Sequence, residues 1–294
     1  MAVPLDSLSA KVEAGEPLSD ADVDALASTR DIIALGMMAT AVRRKLHGTS
    51  ATYVRVLDLT PPDEPWPSEI PITAGETRIF YTPETLTAAA DLVRRARDLA
   101  RNTPLSAFCL FELGKLSEGL PVVLSALKDE GLESIAQAPL DRLTAPEQAL
   151  EAVTDAGLQL ARLTINETPQ RPWTVVCREV AAHQSRLRSI RAFAPLARKM
   201  DPTQPTTGYE DVRRIAISRL LVGDVGTIQI DWTLYGPKLA QVALTFGADD
   251  IDSVSPLDDD SKGHRRSPVE EIRRGIRAAG FEPVERDGRF DRRD

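Results

Sequence analysis

Carboxylates at the ends of apolar runs are the side chains of this sequence best suited to chemistry. Glu112 stands near the end of the run Leu105-Ser-Ala-Phe-Cys-Leu-Phe-Glu-Leu113. A carboxylate there can accept hydrogen bonds from a polar ligand, or act as a base where desolvation raises its pKa. It can equally be a solvated or paired strand-end group. Asp231 ends a second run and is either a pocket group or a surface one. Asn166 and Glu167 follow Ile165 at the end of a third. That pair suits polar recognition or, more simply, an Asx-type turn before Pro169. Arg191 points opposite to its apolar neighbours, so it lines a pocket or pairs with a carboxylate. The two cysteines, Cys109 and Cys177, form no C-x-x-C pair, and His47, His183 and His264 lack ligand spacing. No metal ligand set is expected, and reduced thiols in the cytoplasm are.

These groups need elements to hold them. Residues 1–48 read as helical, with a capping box at Ser19–Asp22 and an apolar face from Ile32 to Leu46. Arg43, Arg44 and Lys45 suit the last turn of that helix. Strands are predicted over 51–59, 76–81, 105–113, 134–138, 158–165, 189–195 and 226–233. Helices are predicted between the later strands, from Pro83 onward, and at about 237–246. Four prolines in residues 60–67 make that stretch an extended loop. Residues 249–265, with Asp258, Asp259 and Asp260, read as a mobile acidic loop. Ser267 caps a last helix, and the charged tail from Arg286 is expected to fray. Six or seven βα units in succession imply a parallel sheet. No Gly-x-Gly-x-x-Gly follows any strand, which disfavours a dinucleotide fold. The expected fold class is α/β: a partial or incomplete (β/α) TIM-like barrel with an N-terminal helical segment. Residues 1–50 form that segment, 51–250 the barrel, and 251–294 an acidic loop with a C-terminal helix and tail. Ligands of such barrels sit at the C-terminal strand ends.

Composition narrows the classes. With 294 residues, 36 basic and 44 acidic, the net charge is −8, which argues against binding a nucleic-acid backbone. No apolar run approaches membrane-spanning length. The first residues lack the pattern of a signal peptide, so a cytoplasmic location is expected.

Several segments then resemble one family. Ala34-Leu-Gly36, Ala41-Val-Arg-Arg-Lys-Leu-His-Gly48 and Thr52-Tyr-Val54 look like its opening segment. Ala107-Phe-Cys-Leu-Phe-Glu-Leu113 resembles its third strand, and Gly131-Leu-Glu-Ser-Ile135 its next. The most specific stretch runs from Asp211 through Ile228-Gln-Ile-Asp-Trp232 to Phe246-Gly-Ala-Asp-Asp250. The family is that of the radical S-adenosylmethionine enzymes of menaquinone (futalosine pathway) and deazaflavin biosynthesis: aminofutalosine synthase, dehypoxanthine futalosine cyclase and FO synthase. The resemblance implies a barrel, a [4Fe–4S] cluster on C-x-x-x-C-x-x-C after the first strand, and S-adenosylmethionine. Here that region has no cysteine. Phe80-Tyr81-Thr82-Pro83 stands where the family has a glycine pair, and the chain from Tyr53 to Glu112 is shorter by roughly one βα unit.

The resemblance therefore implies a relative without the cluster motif, and no cofactor is expected. The expected role is a ligand-binding or partner subunit in a menaquinone (futalosine-type) pathway. The alternative is an acid/base enzyme acting on a nucleoside-like or chorismate-derived intermediate. Expected catalytic residues are Glu112, matching the family's strand-three glutamate, and Asp231. Expected ligand-binding residues are Arg55, Tyr81, Asn166, Arg191 and the family tryptophan Trp232. Expected partners are a nucleoside-like small molecule and a homo- or hetero-oligomer with a cluster-bearing homologue, with no nucleic acid and no membrane. A barrel short of one unit leaves sheet edge to be covered by residues 60–71, the N-terminal helices or another chain.

Overall fold

The computed structural model describes residues 4–61, 66–199, 207–257 and 268–293. Asp258–Asp260, Ser267 and part of the proline-rich loop lie outside them. Eight parallel strands follow in order: β1 (Ser50–Leu59), β2 (Glu76–Ile79), β3 (Leu105–Cys109), β4 (Ser134–Pro139), β5 (Gln159–Ile165), β6 (Ile190–Ala197), β7 (Thr227–Asp231) and β8 (Asp250–Val254). Each pairs with the next, and β8 pairs with β1, so the α/β barrel closes. The helices α1 (Leu5–Ala14), α2 (Asp20–Ser28) and α3 (Ile32–His47) precede it. Around the ring come α4 (Leu86–Ala100), α5 (Leu110–Leu113), α6 (Leu120–Asp129), α7 (Pro146–Asp155), α8 (Trp173–Leu187), α9 (Gly208–Leu221), α10 (Trp232–Leu244) and α11 (Pro268–Ala278).

Incompleteness is confined to the first connection. Among the described residues, the link from β1 to β2 holds no helix, while every later strand pair is joined through at least one. The sheet edge this exposes is covered from within the chain. A ninth strand, β9 (Glu282–Arg286), pairs with Ser50–Val54 of β1, and β2 pairs with the same edge from Val56 onward. The Gly75 N–H donates to the Arg55 carbonyl at 2.8 Å, and the Gly288 N–H to the Gly75 carbonyl at 2.9 Å. A Cβ on Gly75 would stand 2.8 Å from the Arg286 carbonyl oxygen, so only glycine fits this close approach.

Four sequence-based expectations need correction. Residues 105–113 are not one strand: β3 ends at Cys109 and Glu112 lies in α5, after Phe108 turns at φ 61. A short apolar run does not by itself separate a strand from a buried helical turn. Trp232 opens α10 rather than ending a strand, because the Asp231 carboxylate caps that helix by accepting the Thr233 N–H at 3.1 Å. Asp250–Val254, expected within the loop 249–265, is the closing strand. The tail from Arg286 is held by β9 and by an Arg286–Arg292 bridge. Arg43 also does more than end a helix. It is buried, donates from Nε to the Ala248 carbonyl at 3.0 Å, and stacks 3.7 Å from the Phe281 ring centre.

The lumen of the ring is ionic, where barrels of this type usually carry branched apolar side chains. At its base Arg286 grips Asp250 with Nε at 2.6 Å and Nη2 at 2.7 Å. Burial alone would raise the Asp250 pKa. The Arg286 charge and hydrogen bonds from Arg286, Thr52 and Gln229 outweigh it and hold that carboxyl below its usual value. One layer up, Arg78 meets Glu76 and Asp252, each at 2.9 Å, and Arg162 meets Asp252. All four side chains are buried. Each charge has an opposite partner at contact distance, which is the condition for tolerating ions in a low-dielectric interior.

Candidate functional site

Above the ionic layers the C-terminal strand ends open into a cavity of about 560 Å³. That size is ordinary for a small-molecule site. Two backbone residues on its wall take left-handed conformations that non-glycine residues seldom adopt: Phe108 (φ 61) in β3 and Ser253 (φ 64) in β8. Such outliers persist where surrounding structure enforces them, and they cluster at ligand sites.

Three polar atoms on this wall are buried and without a hydrogen-bond partner: Gln137 Oε1, Thr164 Oγ1 and Asn166 Nδ2. They project from β4, β5 and the residue after β5, which makes them neighbours across one strand pair. Native structures leave few buried polar atoms unpaired; six more lie elsewhere among the described residues, and these three are the ones grouped on the mouth wall. Asn166 does not close an Asx turn with its side chain. Its backbone N–H and that of Glu167 donate to the Asp141 carboxylate at 2.7 and 2.9 Å, while the side-chain nitrogen is buried without a partner.

Charge surrounds these atoms. Arg162 and Arg78 rise from the ionic layer below. Arg142 lies at the rim with its guanidinium 4.5 Å from the Phe111 ring centre. Arg198 reaches Asp231 at 3.3 Å. Burial would raise the Asp231 pKa, but Arg198, the Thr233 hydrogen bond, Arg162 and Arg78 together hold it low, so this carboxylate stays ionised. Asp58 behaves oppositely. It faces the cavity solvent, yet the enclosing wall raises its pKa, against the pull of Arg78 and Arg162. Asp58 and Asp231 are thus displaced in opposite directions within one mouth. Glu112 is paired with Lys115 on the same turn.

Of the residues expected at the site, Glu112, Asp231, Tyr81 and Asn166 line the mouth. Arg55 does not: it is on the outer face of β1 and pairs with Glu285 at 3.0 Å. Arg191 is exposed on β6 and is not part of the mouth wall. Trp232 supports the wall from behind, donating from Nε1 to the Ser253 carbonyl at 3.1 Å. Sequence reasoning passed over Gln137, Thr164, Arg162 and Arg198. The signal that would have found them is the one used for Asn166, polar residues in the last positions of a barrel strand.

Residues 193–294 match the family model described as the CofH/MqnC C-terminal region. The chain is related to the CofH/MqnC family. The aminodeoxyfutalosine synthase of Thermus thermophilus is 25% identical over 353 positions, covering 95% of this chain and 93% of that enzyme. A second aminodeoxyfutalosine synthase, from Streptomyces coelicolor, is 37% identical over 95 residues, and there the chain spans only 24% of the relative's length. The 5-amino-6-(D-ribitylamino)uracil--L-tyrosine 4-hydroxyphenyl transferase 2 of Methanosarcina barkeri is 43% identical over 89 residues, 23% of its length. Among solved structures, methylornithine synthase (PylB) superposes with a TM-score of 0.67 at 14% identity, covering 94% of this chain and 97% of that one. HydG, the FeFe-hydrogenase maturase from Carboxydothermus hydrogenoformans, gives 0.68 at 10% identity, covering 95% and 79%. These two carry the fold alone.

The CofH/MqnC relationship overturns the expectation of no cofactor. The matched relatives belong to the radical S-adenosylmethionine family that the sequence resembles, which uses that nucleoside and a [4Fe–4S] cluster. The donor set of this chain still does not fit a cluster held by three cysteines. Its two cysteines are Cys109, at the end of β3, and Cys177, buried in α8, where desolvation pushes the thiol up to about 12. Among the described residues no group of three or more His, Cys, Asp or Glu side chains is placed to hold a metal ion. No helix among them is long and apolar enough to cross a membrane.

Proposed function

We propose that the barrel mouth binds a polar, nucleoside-like ligand and that the chain serves a menaquinone (futalosine-type) pathway as its ligand-binding subunit. The observation that carries this reading is the trio of unpartnered buried atoms, Gln137 Oε1, Thr164 Oγ1 and Asn166 Nδ2. An acceptor, a hydroxyl and a donor on one strand pair offer the mixed hydrogen-bonding set that the edge of a heterocyclic base requires. Arg142, at the rim, offers charge to an anionic substituent, while Tyr81 offers an aromatic face. The relationship to futalosine-pathway enzymes supports the choice of ligand class.

A second reading rests on Asp58. A carboxyl raised by enclosure, beside the ionised Asp231, separates two acids by environment, which is the arrangement acid/base catalysts use. In that reading Asp58 gives or takes the proton at a ligand held by the Gln137–Asn166 wall, and Asp231 stays charged.

Titration calorimetry with adenosine tests the binding role. One site per chain is expected, and Gln137→Ala with Asn166→Ala weakens it about tenfold or more, the worth of two net hydrogen bonds. Absence of saturable heat with adenosine and with S-adenosylmethionine contradicts the reading.

A further inference from the structure

A second cavity, of about 570 Å³, lies on the outside of the ring behind β1. It shares no lining residue with the mouth. Its walls are the outer face of β1 (Tyr53, Arg55), helix α11 (Arg273, Arg277), β9 (Glu285) and the tail residue Arg293. Strand alternation explains the sorting. Thr52 and Arg286 turn inward to Asp250, so Tyr53, Arg55 and Glu285 turn outward.

We propose that this cleft binds a phosphate-bearing small molecule at a site separate from the barrel mouth. Four guanidinium groups line the cleft, and three of them converge on one carboxylate. Glu285 takes Arg55 at 3.0 Å, Arg293 at 3.3 Å and Arg273 at 3.6 Å, with the Tyr53 hydroxyl at 3.1 Å. The other acid nearby, Glu270, is exposed and pairs with the outer nitrogen of Arg273 at 2.7 Å. Two carboxylates leave the group two charges positive in a chain whose net charge is −8. Donors are also left over. Arg55 uses only Nε, and Arg277 has no partner among the described residues. A planar fork of N–H groups fits phosphate oxygens two at a time, which a lysine cluster would not do. The volume exceeds that of a single anion, so an organic portion fits beside the phosphate.

Inorganic pyrophosphate, titrated calorimetrically into the full chain, tests the site. One equivalent is expected to bind, at least tenfold more weakly in Arg277→Gln and in Arg55→Gln. Arg277 is exposed and unpartnered, so Arg277→Gln is expected to melt like the wild type and its effect reads binding alone. Arg142→Gln, in the mouth, is expected to leave pyrophosphate affinity unchanged. Lack of saturable binding, wild-type affinity in Arg277→Gln, or a loss confined to Arg142→Gln overturns the proposal.

Discussion

Replacing Asp252 by asparagine removes the hub of the lumen's ionic layer while keeping its shape. The side chain is fully buried. It accepts from Arg78 Nη2 at 2.9 Å and pairs with Arg162. In the native layer Glu76 and Asp252 balance Arg78 and Arg162. The substitution leaves one positive charge unmatched in the interior. Arg78 keeps Glu76 and Arg162 keeps the Ala136 carbonyl at 3.1 Å, but the two arginines must now share one neutral amide oxygen where each had a carboxylate oxygen. Breaking a buried pair by removing one partner costs about 3–5 kcal/mol, a large part of the roughly 5–15 kcal/mol that holds a typical protein folded. For a chain of 294 residues that is a fall in Tm of about 5–8 °C. Urea denaturation at neutral pH gives the free energy, and an unchanged m-value keeps the comparison valid. The pair Asp252→Asn with Arg162→Met restores charge balance and is expected to recover a substantial part of the loss. A single variant within about 1 kcal/mol of wild type would refute the claim that these ions are desolvated and interdependent.

Three further outcomes follow from particular contacts. Hydrogen bonds from Lys11 and Ser19 lower the Asp22 pKa to about 2. A depressed folded-state value means the contact supports folding above the unfolded pKa near 4, and that support is lost as pH falls through about 2. The stability difference between wild type and Asp22→Asn should therefore shrink across that window, and a difference constant down to pH 2 would contradict it. Burial pushes both thiols up, Cys177 to about 12, so at pH 8 a disulfide reagent should label Cys109 slowly and Cys177 only on unfolding. Adenosine should slow Cys109 further, since that residue lines the mouth. Gly75→Ala drives a Cβ against the Arg286 carbonyl and should cost roughly 1–3 kcal/mol in urea melts.

The barrel was legible because its helices and outward strand positions follow ordinary patterns. What escaped the sequence was charge inside the ring. Asp250 and Asp252, like Glu76 and Arg78, occupy alternate positions that face the lumen. Acidic alternation reads as solvent-exposed chain, so Asp250–Val254 looked like loop and the ring looked unfinished. Glu282–Arg286 escaped for the same reason and because it carries Pro283. Both are fixed by partners far away in sequence, such as the Arg286–Asp250 pair, that no local pattern announces. The site was half legible. Glu112, Asp231, Tyr81 and Asn166 follow strand ends and reach the mouth. Arg55 and Arg191 face outward, because inward and outward positions cannot be told apart until the register is known.

The central claim is that the unpartnered wall of the mouth recognises a nucleoside. A crystal structure of the protein grown with saturating adenosine tests it most directly. The base edge should lie within hydrogen-bond distance of Gln137, Thr164 and Asn166. A mouth filled by solvent alone at that concentration, or adenosine bound elsewhere, would contradict it.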